Sequence, residues 1–195
     1  MKDIVSHFDK PAKGLNVAFI DTASEIEKGD LLWLDEDRDI LIQLGFKVFD
    51  YTLTGKTYEE VLEALLSIDV LFVAGGNTFY LLEQANKCNF KKIVQGLLDK
   101  GVTYIGSSAG SILACPNIEP IKYLDDLKVA PDLHLYDALG LVDFLIFPHW
   151  GSEHFKERQI KSVESIYSHD YKIILLRDNQ YVFVEDNRYR IMLGN

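Results

Sequence analysis

The sequence predicts an α/β protein, a three-layer sandwich on a largely parallel central sheet of the flavodoxin-like kind. Two observations carry this. Short, continuously apolar runs, as expected of strands covered on both faces, alternate with segments of helical period along most of the chain. No Pro/Gly/Ser linker, repeat or low-complexity tract divides the 195 residues, so residues 1–195 read as one domain able to bury a substantial core. The first run, Asn16-Val17-Ala18-Phe19-Ile20, is a buried strand. Residues 31–44 follow, with Leu34, Leu41 and Leu44 on one helical face and Gly45 as the stop. Residues 46–51 form the second strand. Thr57-Tyr58-Glu59-Glu60 has the spacing of a capping box, with Val61, Leu65 and Ile68 at helical intervals behind it. Residues 69–74 are a third buried strand ending at Gly75-Gly76, and helices are expected over 77–87 and 90–99. The apolar run of Val102, Tyr104 and Ile105 is the next strand. Beyond it, residues 144–148 read as a strand and 152–168 as a helix. Residues 172–176, 180–184 and 189–193 are three closely spaced strands that finish the sheet on an antiparallel edge.

Composition narrows the function. Thirty acidic against 20 basic residues give a net charge of −10, with no basic cluster or stripe, which argues against nucleic acid or an anionic membrane as partner. No apolar run approaches the roughly 20 residues needed to span a bilayer. Residues 1–7 lack the apolar segment and cleavage site of a secretory signal, so a cytoplasmic location is expected. Cys88 and Cys115 form neither a disulfide framework nor a metal-ligand spacing and are expected as buried free thiols; no metal site, phosphate loop or dinucleotide fingerprint is present in the sequence.

The chemistry concentrates at Gly106-Ser107-Ser108-Ala109-Gly110, which lies between a strand and a helix-compatible run in the pattern of a G-x-S-x-G nucleophile elbow. A sharp strand-to-helix turn lifts the hydroxyl of Ser108 out of the sheet, and glycine on either side removes the Cβ atoms that would collide there. The first N–H groups of the following helix point where an oxyanion would form. A serine nucleophile needs a base, and the base needs an orienting carboxylate. Of five histidines, His149 in Phe147-Pro148-His149-Trp150 sits just past an apolar strand, where a catalytic loop residue belongs. Asp178, after the strand at 172–176, is one candidate acid, and Asp125 and Asp126, in the loop after the serine helix, are its rivals. Gly75-Gly76-Asn77-Thr78 is a further unusual turn. It reads either as a second oxyanion donor or as a tight turn with an Asn/Thr helix cap. Ligands of such sheets bind beyond the carboxyl ends of the strands, and Gly75-Gly76, Ser108 and His149 all fall at such ends.

Taken together, Gly75-Gly76-Asn77-Thr78-Phe79, Tyr104-Ile105-Gly106-Ser107-Ser108-Ala109-Gly110 and Pro148-His149, with Asp137-Ala138-Leu139-Gly140-Leu141-Val142 ahead of the His strand, resemble the peptidase E (aspartyl dipeptidase) family of serine peptidases, relatives of the cyanophycinases. The resemblance implies a class I glutamine amidotransferase-like fold with serine in place of the cysteine nucleophile. It also implies cofactor-free hydrolysis of small peptides with an N-terminal aspartate. By it Ser108 attacks, His149 is base and then acid, Asp178 completes the triad, and the Gly76 and Ala109 amides hold the oxyanion; Asp125 or Asp126 is the alternative acid. Gly75, Asn77 and Thr78 would line the substrate site. Lys156 or Arg158 would stand where the family uses an arginine to bind the substrate's aspartate, though lysine lacks the bidentate fork. The resemblance places a first strand of the family ahead of residues 1–8; its absence here is an expectation, and a sheet edge so exposed would be a place for a second copy to pair as a homodimer.

Two other readings remain open. An α/β-hydrolase-type esterase would use Asp143 with His154 or His169. A catalytically altered relative would keep the turn and act as a binding or regulatory protein.

Overall fold

A computed structural model of the chain describes residues 2–8, 10–166, 171–186 and 188–194. Its centre is a four-stranded parallel sheet of β1 (Asn16–Ile20), β2 (Lys47–Tyr51), β3 (Val70–Val73) and β4 (Thr103–Gly106), in the order β2-β1-β3-β4. Helices cover both faces, because successive side chains of the inner strands point to opposite sides. Val17, Phe19, Val70 and Phe72 face α1 (Leu32–Gln43), which contributes Leu34 and Leu41, and the Phe19 and Phe72 rings stack at 4.9 Å. Ala18, Ile20, Leu71 and Val73 face the larger core built by α2 (Tyr58–Ala64), α3 (Thr78–Lys87), α4 (Phe90–Leu98) and α5 (Ala109–Leu113). The three layers expected from the sequence are therefore present. The capping box is also present at α2: the Glu60 N–H donates to Thr57 Oγ1 at 3.2 Å and the Thr57 N–H to Glu60 Oε2 at 2.8 Å.

The second half departs from the expectation of one sheet with an antiparallel edge. β5 (Leu145–Phe147) and β6 (Ile173–Leu175) form a separate parallel pair, and β7 (Gln180–Glu185) and β8 (Arg188–Leu193) a separate antiparallel hairpin. β5 and β6 have three residues each, and residues of β4 and β7 line a cleft. α6 spans Lys156–Ile166 and starts later than the sequence predicts, because residues 148–151 and 153–155 are turns; the expected end at 168 lies outside the described residues. The chain opens on a 3-10 helix, Lys2–His7. Cys88 and Cys115 are free and buried, and burial pushes their thiols up to about 11 and about 12. Among the described residues no helix is long and apolar enough to cross a membrane.

Candidate active site

β4 runs into Gly106, and α5 starts at Ala109, so Ser107 and Ser108 must reverse the chain between them. Ser108 has φ 48° and ψ −110°, a conformation that L-residues rarely adopt and that costs of order 1–3 kcal/mol unless the surroundings enforce it. The enforcement is steric. A Cβ on Gly106 would stand 2.5 Å from the Gly110 carbonyl, and one on Gly110 would stand 2.0 Å from the Val73 oxygen. Only glycine at both positions lets the turn and α5 lie this close to β4 and β3. The Tyr104 hydroxyl donates to the Gly110 carbonyl at 2.7 Å and pins the turn from the strand side.

The β3–α3 turn closes over the same point. A Cβ on Gly75 would lie 3.1 Å from Ser108 Cβ and 3.3 Å from the Trp33 ring. Gly76 holds φ 126°, and a Cβ there would meet Ala23 O at 2.1 Å. Neither the Gly76 nor the Ala109 N–H has a hydrogen-bond acceptor among the described residues.

His149 follows β5 and Asp178 follows β6. The Trp150 N–H donates to Leu176 O at 2.7 Å, and the Leu176 N–H to Phe147 O at 2.9 Å, so the parallel pairing carries the two loops forward together. The His149 ring bridges the site: its Nδ1 lies 2.6 Å from Asp178 Oδ1 and its Nε2 2.9 Å from Ser108 Oγ. An ionised carboxylate only accepts, so Nδ1–H donates to Asp178 and Nε2 accepts from the Ser108 hydroxyl. The ring stacks on Phe155 at 5.1 Å, and the Arg158 guanidinium lies 4.9 Å from the same Phe155 ring. His149 is about one-third exposed and Asp178 two-thirds.

The other candidates take different places. Asp125 Oδ2 accepts the Thr78 N–H at 2.8 Å and the Asp126 carbonyl accepts from Asn77 Nδ2 at 3.1 Å. Neither residue makes a hydrogen bond to His149. As geometry, Asp125 is thus a brace for the Gly76–Thr78 turn rather than the third member of a triad. Burial pushes its carboxyl above the ordinary range, against the Thr78 hydrogen bonding and the Arg158 and His149 charges. Asn77 is the N-cap of α3, its Oδ1 accepting the Tyr80 N–H at 3.0 Å. Gly75, Gly76, Thr78, Ser108, His149 and Asp178 all line one cleft of about 1420 Å³. Arg158 lines it too, its guanidinium donating to Leu124 O at 2.7 Å and His154 O at 3.3 Å. Lys156 corrects the expectation: it is exposed, pairs with Glu153 at 3.3 Å and does not line the cleft. The esterase alternative is not assembled, because Asp143 is exposed and bound to Lys172 while His154 packs edge-on against Phe155; His169 lies outside the described residues. Among those residues no group of three or more His, Cys, Asp or Glu could hold a metal ion.

Three neighbours were not legible in the sequence. Ser107 Oγ donates to Asp37 on α1 at 3.1 Å, and burial pushes the Asp37 carboxyl up against that bond. Trp33, also on α1, roofs the Gly75 turn. Gln159, on α6, donates from Nε2 to Pro148 O at 2.6 Å. None of the three left a local signal; it is the structure that shows Gln159 as a polar residue in the buried stripe Gln159, Ser162, Ile166.

The sequence model of peptidase family S51 matches residues 1–192. The chain belongs to that family. An uncharacterized peptidase of Pasteurella multocida is 31% identical over 193 residues, covering 99% of this chain and 92% of the relative. A peptidase E of Salmonella arizonae is 34% identical over 119 residues, 60% of this chain and 48% of the enzyme, so that likeness spans about half of the relative. The crystal structure of a protein provisionally assigned as a peptidase E from Listeria monocytogenes superposes with a TM-score of 0.90 at 31% identity, covering 100% of this chain and 95% of that one. The family resemblance and the α/β class read from the sequence thus hold for this S51 chain.

Proposed function

We propose that this S51 peptidase hydrolyses short peptides through an acyl-enzyme on Ser108, with His149 as base and then acid and Asp178 orienting it. The observation that carries the reading is the His149 ring, bonded to Ser108 on one nitrogen and to Asp178 on the other. As Ser108 Oγ attacks the scissile carbonyl carbon, its proton passes to His149 Nε2, and Asp178 stabilises the imidazolium at Nδ1. The carbonyl oxygen becomes an oxyanion facing the unengaged Gly76 and Ala109 amides. Collapse breaks the C–N bond, and His149 gives its proton to the leaving amine. Water, deprotonated by the same nitrogen, then releases the acid and restores Ser108.

The substrate class implied by the resemblance is a dipeptide with an N-terminal aspartate. In the cleft that carboxylate would be met by Arg158, whose guanidinium already donates to two carbonyls. The test is a panel of Asp-X, Glu-X, Asn-X, Ala-X and Arg-containing dipeptides, followed by mass spectrometry for wild type and Ser108→Ala. Cleavage of Asp-X that disappears in the variant is the expected result. Cleavage of another class, again lost with Ser108, keeps the mechanism and replaces the substrate. Cleavage that survives in Ser108→Ala removes the mechanism.

A further inference from the structure

We propose that Gln159 is a positioning residue for this chemistry, its side-chain amide fixing the Pro148–His149 peptide and so holding the His149 ring between Ser108 and Asp178. The proposal rests on the peptidase reading above. His149 sits at φ 61°, a left-handed conformation that a non-glycine residue keeps only where its surroundings impose it. β5 has ended at Phe147, so no strand ladder imposes it. Three hydrogen bonds hold the turn instead. Trp150 N–H reaches Leu176 O at 2.7 Å, Ser152 N–H reaches His149 O at 3.0 Å, and Gln159 Nε2 reaches Pro148 O at 2.6 Å. The third is a side chain's, and it grips the peptide whose rotation would swing the imidazole. Pro148 has no N–H of its own, so its carbonyl is the one backbone handle at that residue.

The chemistry of the amide fixes its orientation. Pro148 O only accepts, so the Gln159 NH₂ must face it, which turns Oε1 the other way. Gln159 is 1% exposed, and its Oε1 has no hydrogen-bond partner among the described residues; neither does Ser162 Oγ, one turn along α6. An unsatisfied buried oxygen destabilises the fold, and an apolar side chain of the same length would avoid it. What the amide contributes that methionine would not is the bond to Pro148, immediately before the ring that bridges Ser108 and Asp178.

The experiment compares Gln159→Met, which keeps length and loses the donor, with Ser162→Ala, a change in the same buried stripe away from the His149 turn. One readout is the rate at which a fluorophosphonate labels Ser108 across pH. The other is the low-field proton NMR signal of His149 Nδ1–H, which reports the bond to Asp178 whether or not Ser108 reacts. For Gln159→Met, labelling should slow by on the order of 10- to 100-fold, as a misplaced catalytic group does. The Nδ1 signal should disappear, while Ser162→Ala keeps wild-type behaviour in all respects. Wild-type labelling and signal in folded Gln159→Met overturn the proposal, and so do equal losses in Ser162→Ala, which would assign the effect to α6 packing. If Gln159→Met does not fold, Gln159→Glu replaces it. Protonated, that carboxyl donates to Pro148 O; ionised, it repels it. Its labelling should therefore fall relative to wild type as pH rises, and a wild-type pH profile overturns the proposal. A wild-type protein that is labelled at Ser108 yet cleaves no peptide would sink the peptidase reading and leave this comparison standing.

Discussion

Ser108 and His149 meet at 2.9 Å but are held there by opposite means. Ser108 belongs to the four-stranded sheet, where its strained backbone is clamped by packing against β3 and α5 so close that no Cβ fits at Gly106 or Gly110. His149 and Asp178 belong to the three-residue strands of the other half, where a few hydrogen bonds and one ring stack fix an imidazole that water still reaches. The serine side is thus set by sterics shared with folding itself, and the histidine side by polar contacts that can fail while the fold survives.

That contrast is broken or sharpened by five substitutions, from the largest expected effect to the smallest. Gly110→Ala should strike fold and activity together. Its methyl must displace the Val73 carbonyl from 2.0 Å, for an expected loss of about 3 kcal/mol or more in urea unfolding, with no measurable turnover. A stable, active Gly110→Ala would mean that the Ser108 turn is not sterically clamped. Asp178→Asn should leave stability within about 0.5 kcal/mol, as expected of an exposed residue, yet lower kcat by on the order of 100-fold or more. Asp125→Asn, which keeps an acceptor for the Thr78 N–H, should cost much less. The reverse ranking in steady-state kinetics would return the triad to Asp125.

Asp37 carries a pH signature. Its folded pKa is raised by burial, so the stability it contributes is complete below the unfolded carboxylate pKa and is lost as pH rises through the folded value. Asp37→Asn should accordingly unfold at higher urea than wild type at pH 7. The gap should close as pH falls towards about 4, the ordinary carboxylate pKa. A gap that widens on acidification would contradict the burial. The smallest effect is expected for Lys156→Ala, whose exposed pair with Glu153 lies outside the cleft; kcat/KM should change less than about twofold. A large loss would place that lysine on the substrate after all.

The residues of the serine side were legible because local rules apply there. An apolar run such as Val70–Val73 followed by Gly75-Gly76, or Gly106 and Gly110 around a serine, states its own strand, turn and close approach. Asp178 was legible only as one of several candidates, since three aspartates sat at turns and nothing local separates a triad carboxylate from a helix brace. The structure assigns Asp125 to the Thr78 amide and Asp178 to the His149 ring through the parallel pairing of β5 with β6, a contact between segments about 30 residues apart.

By itself, then, the sequence determined the α/β class, most of the strands and helices, the serine turn and the peptidase E resemblance, because periodicity, caps and glycine constraints act over a few residues. The tertiary structure alone decided the splitting of the sheet after β4 and the start of α6 at Lys156. It also decided that Arg158 rather than Lys156 lines the cleft and brought Asp37, Trp33 and Gln159 to the site. Those outcomes depend on which distant surfaces meet, and a chain read residue by residue carries no local signal of that.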